Sequence, residues 1–142
     1  MDTASRLRFF FAKHAERYGI GMAFLYGSAA AGMLKDESDI DVAILFDSVS
    51  GRDAFDLVSG LETELTIILK RDTEILVLDR EKVRPLLFFN AVVHGIPVYF
   101  RDFTRLVDLK NEALGLKEDW ELFGTSWQAD LAAKKIEGWK HG

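Results

Sequence analysis

The chain has no cysteine, only two prolines and three histidines, and no apolar run near the ~18 residues that a membrane-spanning helix needs. Without cysteine there are no disulfides, no thiolate zinc sites and no thiol nucleophile. His14, His94 and His141 are scattered and share no metal-ligand spacing. Acids and bases are spread through the first residues, so no signal peptide or membrane span is expected, and the expected compartment is the cytoplasm. Basic tracts are missing too. With 23 acidic against 18 basic residues the formal net charge is −5, and direct nucleic-acid binding is not expected. What is present is a chain of 142 residues, 49% apolar and 29% charged, sufficient for one buried core.

The charge is unevenly spread. Residues 1–35 carry net +3, residues 75–142 balance, and residues 36–74 hold eleven acids against three bases, net −8. Two readings fit such a segment: the solvated face of a helix, or a site for a divalent cation.

The pattern of apolar residues gives an α/β (α+β) chain. Leu7, Phe10, Phe11, Ala15 and Tyr18 form one face of a first helix that ends at Gly19. Met22 to Tyr26 reads as a buried strand, residues 29–34 as a short helix, and Asp39 to Phe46 as a second strand. A helix follows from about Asp53 to Leu69, striped by Ala54, Leu57, Val58, Leu61, Leu65 and Ile68. Thr73 to Asp79 is a third strand, Val83 to Val93 an apolar helix between Pro85 and Gly95, and Ile96 to Phe100 a fourth strand. From Asp102 onward the pattern is helical, with Trp120, Phe123, Trp127 and Leu131 on one stripe. The expectation is a small mixed sheet of about four strands with helices over one face, and extra C-terminal helices.

Two short elements carry chemistry. Gly27-Ser28 lies at an expected strand-to-helix turn; glycine lets backbone approach a ligand closely, the following helix would present free amides, and the serine hydroxyl adds a donor, which suits a phosphate. Asp39-Ile40-Asp41 opens the next strand. Residues two apart share a strand face, so both carboxylates point one way and Ile40 the other. Held ~7 Å apart, such carboxylates repel each other unless a hard cation joins them. Glu74, near the start of the third strand, could supply a third carboxylate if that strand pairs with Asp39–Phe46; a surface role fits it equally. Tyr26 reads as core. Asp53, Asp56, Glu62 and Glu64 read as the polar side of a helix. Lys70 and Arg71 suit either a triphosphate or a helix C-terminus.

Gly27-Ser28, ten residues, then Asp39-Ile40-Asp41 resembles the G-S-x10-D-x-D signature of the nucleotidyltransferase superfamily that includes DNA polymerase β. The later TEILVLD and LLFFNAVVHGIPVYF stretches are similar to its minimal nucleotidyltransferase (MNT) branch, over roughly residues 5–100. The resemblance implies a nucleotidyltransferase domain over residues 1–100, with residues 101–142 a helical extension packed on it. It implies nucleotidyl transfer from a nucleoside triphosphate, ATP first, to an acceptor hydroxyl. Gly27 and Ser28 would hold the β- and γ-phosphates; Asp39, Asp41 and Glu74 would be the catalytic carboxylates and bind one or two Mg2+ ions, with Mn2+ an alternative. The chain departs from the family in Glu74, where aspartate is common, and in Ala31, where arginine is common.

MNT proteins of this size resemble antitoxins whose partner is a HEPN-type ribonuclease toxin, to which the antitoxin transfers AMP. The resemblance therefore implies a protein adenylyltransferase with a HEPN-type partner. A catalytically weak module that neutralises its partner by contact, and a small-molecule nucleotidyltransferase, are the alternatives. Homo- and hetero-oligomers both stay open.

Overall fold

A computed structural model of the chain describes residues 2–30, 32, 39–47, 51–79 and 81–141, except for the side chains of 51–53 and 123–141. The expected helix over residues 29–34 and the loop at Lys35–Ser38 fall mostly outside these residues, as do Ala31 and the side chains of Asp53, Phe123, Trp127, Leu131, Trp139 and His141.

Helix α1 spans Thr3–Tyr18, with Asp2 accepting a 2.7 Å hydrogen bond from the Ser5 N–H as its N-cap. Strand β1 is Ile20–Tyr26 and strand β2 is Ile40–Phe46. Helix α2 is Gly51–Leu69, strand β3 Thr73–Val77 and helix α3 Pro85–Phe89. Strand β4 is Ile96–Phe100, followed by helix α4, Phe103–His141. The order in the sheet is β3-β2-β1-β4. β1 is antiparallel to both β2 and β4, whereas β2 and β3 run parallel. A parallel pair needs a crossover connection, and α2 is that connection.

Helices cover both faces of the sheet, not one as the sequence suggested. On the first face Leu7, Phe10 and Phe11 of α1 and Leu61, Leu65 and Leu69 of α2 pack on Ala23, Leu25, Ile40, Val42 and Ile44. On the second, Phe88, Ala91 and Val92 join Leu106, Leu109 and Ala113 of α4 over Met22, Phe24 and Ala43. The strands dictate this. β1 is buried along nearly its whole length instead of alternating, a pattern that needs cover on both sides. The C-terminal region is a single helix rather than several, and its first three turns belong to the second core.

The helix expected over Val83–Val93 is divided. After α3 the chain widens into a π-helical turn, Asn90–His94, before β4 begins. Gly95 makes the closure: a Cβ there would stand 2.0 Å from the Ala91 carbonyl oxygen and 3.1 Å from that of Leu25. Edge strand β3 is protected by α2, since the Ile75 N–H donates to Glu62 Oε1 at 3.0 Å. Glu64 is also engaged, accepting from the Tyr18 hydroxyl and from Arg17 Nη2 at 3.1 Å. Two of the acids read as a solvated helix face therefore tie α2 to its neighbours. Among the described residues, no helix is long and apolar enough to cross a membrane.

Candidate active site

The sheet brings together residues far apart in sequence. Ile40 is buried on the α1–α2 side, so Asp41, the next residue along β2, faces the opposite side with Ala43. Asp41 is paired in register with Tyr26 on one flank and with Glu74 on the other. The Ile40 N–H donates to the Asp72 carbonyl at 2.8 Å and locks the starts of β2 and β3 together. Glu74, Asp41 and Tyr26 thus form a row across one end of the sheet. Asp39 precedes β2 and is exposed.

Gly27 follows Tyr26 directly, and its backbone has φ +74°. A Cβ at this position would lie 2.6 Å from Asp41 Oδ2. The turn therefore approaches the carboxylate as closely as a backbone can, which only glycine permits. Residues 27–30 form turns, without a helix starting at Ser28, and Ser28 is half-buried beside this approach.

The row is electrostatically frustrated. Burial pushes the Asp41 carboxyl up from its ordinary value, and the negative charges of Glu74 and Asp39 push it further. Burial, with Asp41 and Glu74 acting the same way, pushes the Tyr26 hydroxyl up to about 12. Tyr26 is consequently a neutral hydrogen-bond donor at physiological pH. As the sequence suggests, Tyr26 packs against the core, and it also stands beside Asp41. The signal was available in its position, next to the Gly27 turn and on the face set by Phe24, but its pairing with Asp41 is a long-range fact.

Among the described residues, no three acidic or histidine side chains stand close enough together to hold a metal ion by themselves. Asp41 and Glu74 are neighbours, Asp39 acts on Asp41 through its charge, and the Gly27 backbone packs directly against the Asp41 carboxylate. A cavity of about 840 Å3 lies at the other end of the strands, beside Phe46, Asp47 and Val77. Asp47 there is held by Arg101 and Arg105, each at 2.8 Å.

The family model described as polymerase beta, nucleotidyltransferase, matches residues 11–104. Among solved structures, a chain of a toxin–antitoxin complex with AMP-PNP is similar at TM-score 0.66 and 14% identity, over 92% of this chain and 98% of that one. A chain of a complex between a tri-AMPylated Shewanella oneidensis HEPN toxin and an MNT antitoxin is similar at TM-score 0.63 and 14% identity, over 92% and 99%. A chain of an MntA–HepT toxin–antitoxin structure is similar at TM-score 0.62 and 13% identity, over 90% and 97%. No curated protein matches the chain.

Proposed function

The chain belongs to the polymerase beta nucleotidyltransferase family, and from that premise we propose that it transfers AMP from ATP to a hydroxyl of a partner protein, as the antitoxin of a HEPN/MNT-type pair. The observation that carries this reading is the contact between Gly27 and Asp41. A left-handed glycine, whose Cβ would lie 2.6 Å from Asp41 Oδ2, brings the turn's backbone N–H groups up beside that carboxylate, so a phosphate seated on the turn would lie next to Asp41. Both the AMP-PNP and the AMPylated-toxin complexes among the similar structures support a nucleotide and a toxin as the two substrates.

The donor set suits a hard divalent cation. Magnesium favours one or two carboxylates plus substrate phosphate oxygens over an all-protein cage, so Asp39 and Asp41, with Glu74 beside them, need not converge as a closed cluster. When bound, the cation would neutralise phosphate charge and cancel the repulsion that disturbs Asp41.

In the reaction, the acceptor oxygen forms a bond to the α-phosphorus as the bond from that phosphorus to the β-bridging oxygen breaks, and pyrophosphate leaves. Asp39 and Asp41 would hold the cation through which the α-phosphate is engaged. The Gly27–Ser28 turn holds the β- and γ-phosphates through its backbone N–H groups and the Ser28 hydroxyl. Glu74 lies on the far side of Asp41 from this turn, where the acceptor enters, and its carboxylate takes the acceptor's proton. Tyr26, kept neutral by burial and its acidic neighbours, donates a hydrogen bond from its hydroxyl to a phosphate oxygen.

A second reading has one observation in its favour. The three carboxylates do not by themselves enclose a metal, as would suit a module that neutralises its partner by contact alone. Incubation with ATP labelled at the α-phosphate, magnesium and the protein encoded by the adjacent gene separates the two. Label on the partner, absent after Asp39→Asn and Asp41→Asn, is the expected result. A stable unlabelled complex, indifferent to those substitutions, overturns the enzyme reading.

A further inference from the structure

On the side of Tyr26 away from the carboxylates, Tyr26, Gly27 and Ala30 face Leu87, Asn90 and His94 across a cavity of about 550 Å3. Its far wall is the π-helical turn, a geometry that recurs at functional positions. Ala91 and Val92 of that turn are buried against the sheet, while Asn90 and His94, four residues apart, line the cavity. Packing fixes both. Phe89 stands edge-on to the His94 imidazole, with ring centroids 5.0 Å apart. Gly95 brings the chain back against the Ala91 carbonyl oxygen and into β4.

The order of groups along the sheet end gives this cavity a direction. Glu74, Asp41 and Tyr26 are neighbours on β3, β2 and β1, and the chain entering β4 lies beyond them, with Ile96 paired to Leu25. An in-line displacement puts the acceptor oxygen, the α-phosphorus and the leaving pyrophosphate close to one line. With the acceptor at Glu74 and the α-phosphate beside Asp41, as the transfer reading has them, the pyrophosphate would extend past Gly27 toward the cavity. The turn between Gly27 and Gly32 has no basic side chain, so it can offer only backbone N–H groups and one hydroxyl. Among the described residues, the cavity lining offers a carboxamide, an imidazole and a phenol, and no carboxylate.

Resting on the transfer reading above, we propose that Asn90 and His94 bind the β- and γ-phosphates of the donor nucleotide, from the side opposite the Gly27–Ser28 turn. The Asn90 amide and an imidazole N–H of His94 donate to phosphate oxygens. Hydrogen bonds to an ionised phosphate are charge-assisted and stronger than neutral ones. They orient the leaving group for departure along the row.

The test is calorimetric titration of the intact protein with ATP, AMP and inorganic pyrophosphate, each with magnesium. The wild type is compared with Asn90→Ala, His94→Ala and His94→Gln. The expected result is a loss of about tenfold or more in affinity for ATP and pyrophosphate in the alanine variants. AMP affinity is unchanged, and glutamine at position 94 recovers part of the loss. Unchanged ATP and pyrophosphate affinity overturns the proposal and leaves the transfer reading standing. Equal losses for ATP and AMP overturn it as well, since the pocket would then hold the nucleoside. A wild type that binds neither ATP nor pyrophosphate overturns both readings. Should the variants fail to fold, nuclear magnetic resonance of the wild-type His94 imidazole decides. Pyrophosphate shifts its resonances if the proposal holds, and no shift overturns it.

Discussion

Asp41 and Glu74 face each other across the parallel β2–β3 pair as register partners, so two like charges are held side by side at one end of the sheet. Such a pair opposes folding unless something else requires it. Burial and the charges of Glu74 and Asp39 raise the Asp41 carboxyl above its ordinary value of 3.8. An acid with a raised folded pKa holds its proton more tightly when folded than when unfolded. Its contribution therefore turns against the fold as pH rises above 3.8. Asp41→Asn is expected to melt at the wild-type temperature or higher at neutral pH, with the difference vanishing in acid, while transfer activity is abolished. Thermal melts across pH, run beside a transfer assay, check both halves.

The same repulsion makes added magnesium informative. A cation that binds the folded state raises its apparent stability by mass action. Millimolar MgCl2 with a non-hydrolysable ATP analogue is expected to raise the melting temperature of the wild type. The rise should be absent in an Asp39→Asn, Asp41→Asn double variant, and differential scanning fluorimetry reads it.

Gly27→Ala tests the close approach. Its φ of +74° costs a non-glycine residue about 1–2 kcal/mol, and the added methyl collides with Asp41 Oδ2. The expected outcome is a moderately destabilised, folded protein whose kcat/KM falls by about 100-fold or more through displacement of the carboxylate. Urea denaturation and steady-state kinetics measure the two effects separately.

Glu64 gives an opposite pH signature at the other side of the fold. The Tyr18 hydroxyl and then the Arg17 guanidinium hold its carboxyl below the ordinary 4.5. Stability from this contact is complete above 4.5 and is lost as pH falls through the lowered folded value. The difference in stability between wild type and Glu64→Gln is therefore expected to be constant near neutrality and to shrink in acid. Its size is modest, because both charged partners are largely exposed to solvent.

What the sequence revealed and what it concealed divides along the range of the interactions. The Asp39-Ile40-Asp41 alternation was legible because strand geometry has a period of two: Ile40 went into the core and Asp41 to the other face. The Gly27-Ser28 turn was legible from the end of an apolar run. The pairing of Asp41 with Tyr26 was hidden, since it depends on the antiparallel register of β1 and β2. Glu62 reads as a solvated residue in the sequence because helix periodicity does not disclose an edge-strand N–H that needs an acceptor. The division of the apolar helix at Asn90 follows from the tight passage of Gly95 beside Ala91 and Leu25, a contact with β1 that local composition does not encode.

The most direct measurement of the central claim is intact-mass spectrometry of the protein encoded by the adjacent gene, co-expressed with this chain. The expected result is a partner carrying one or more AMP groups when the chain is wild type, and none when Asp39 and Asp41 are both asparagine. A partner that stays unmodified, yet is neutralised equally by both forms, would contradict the claim.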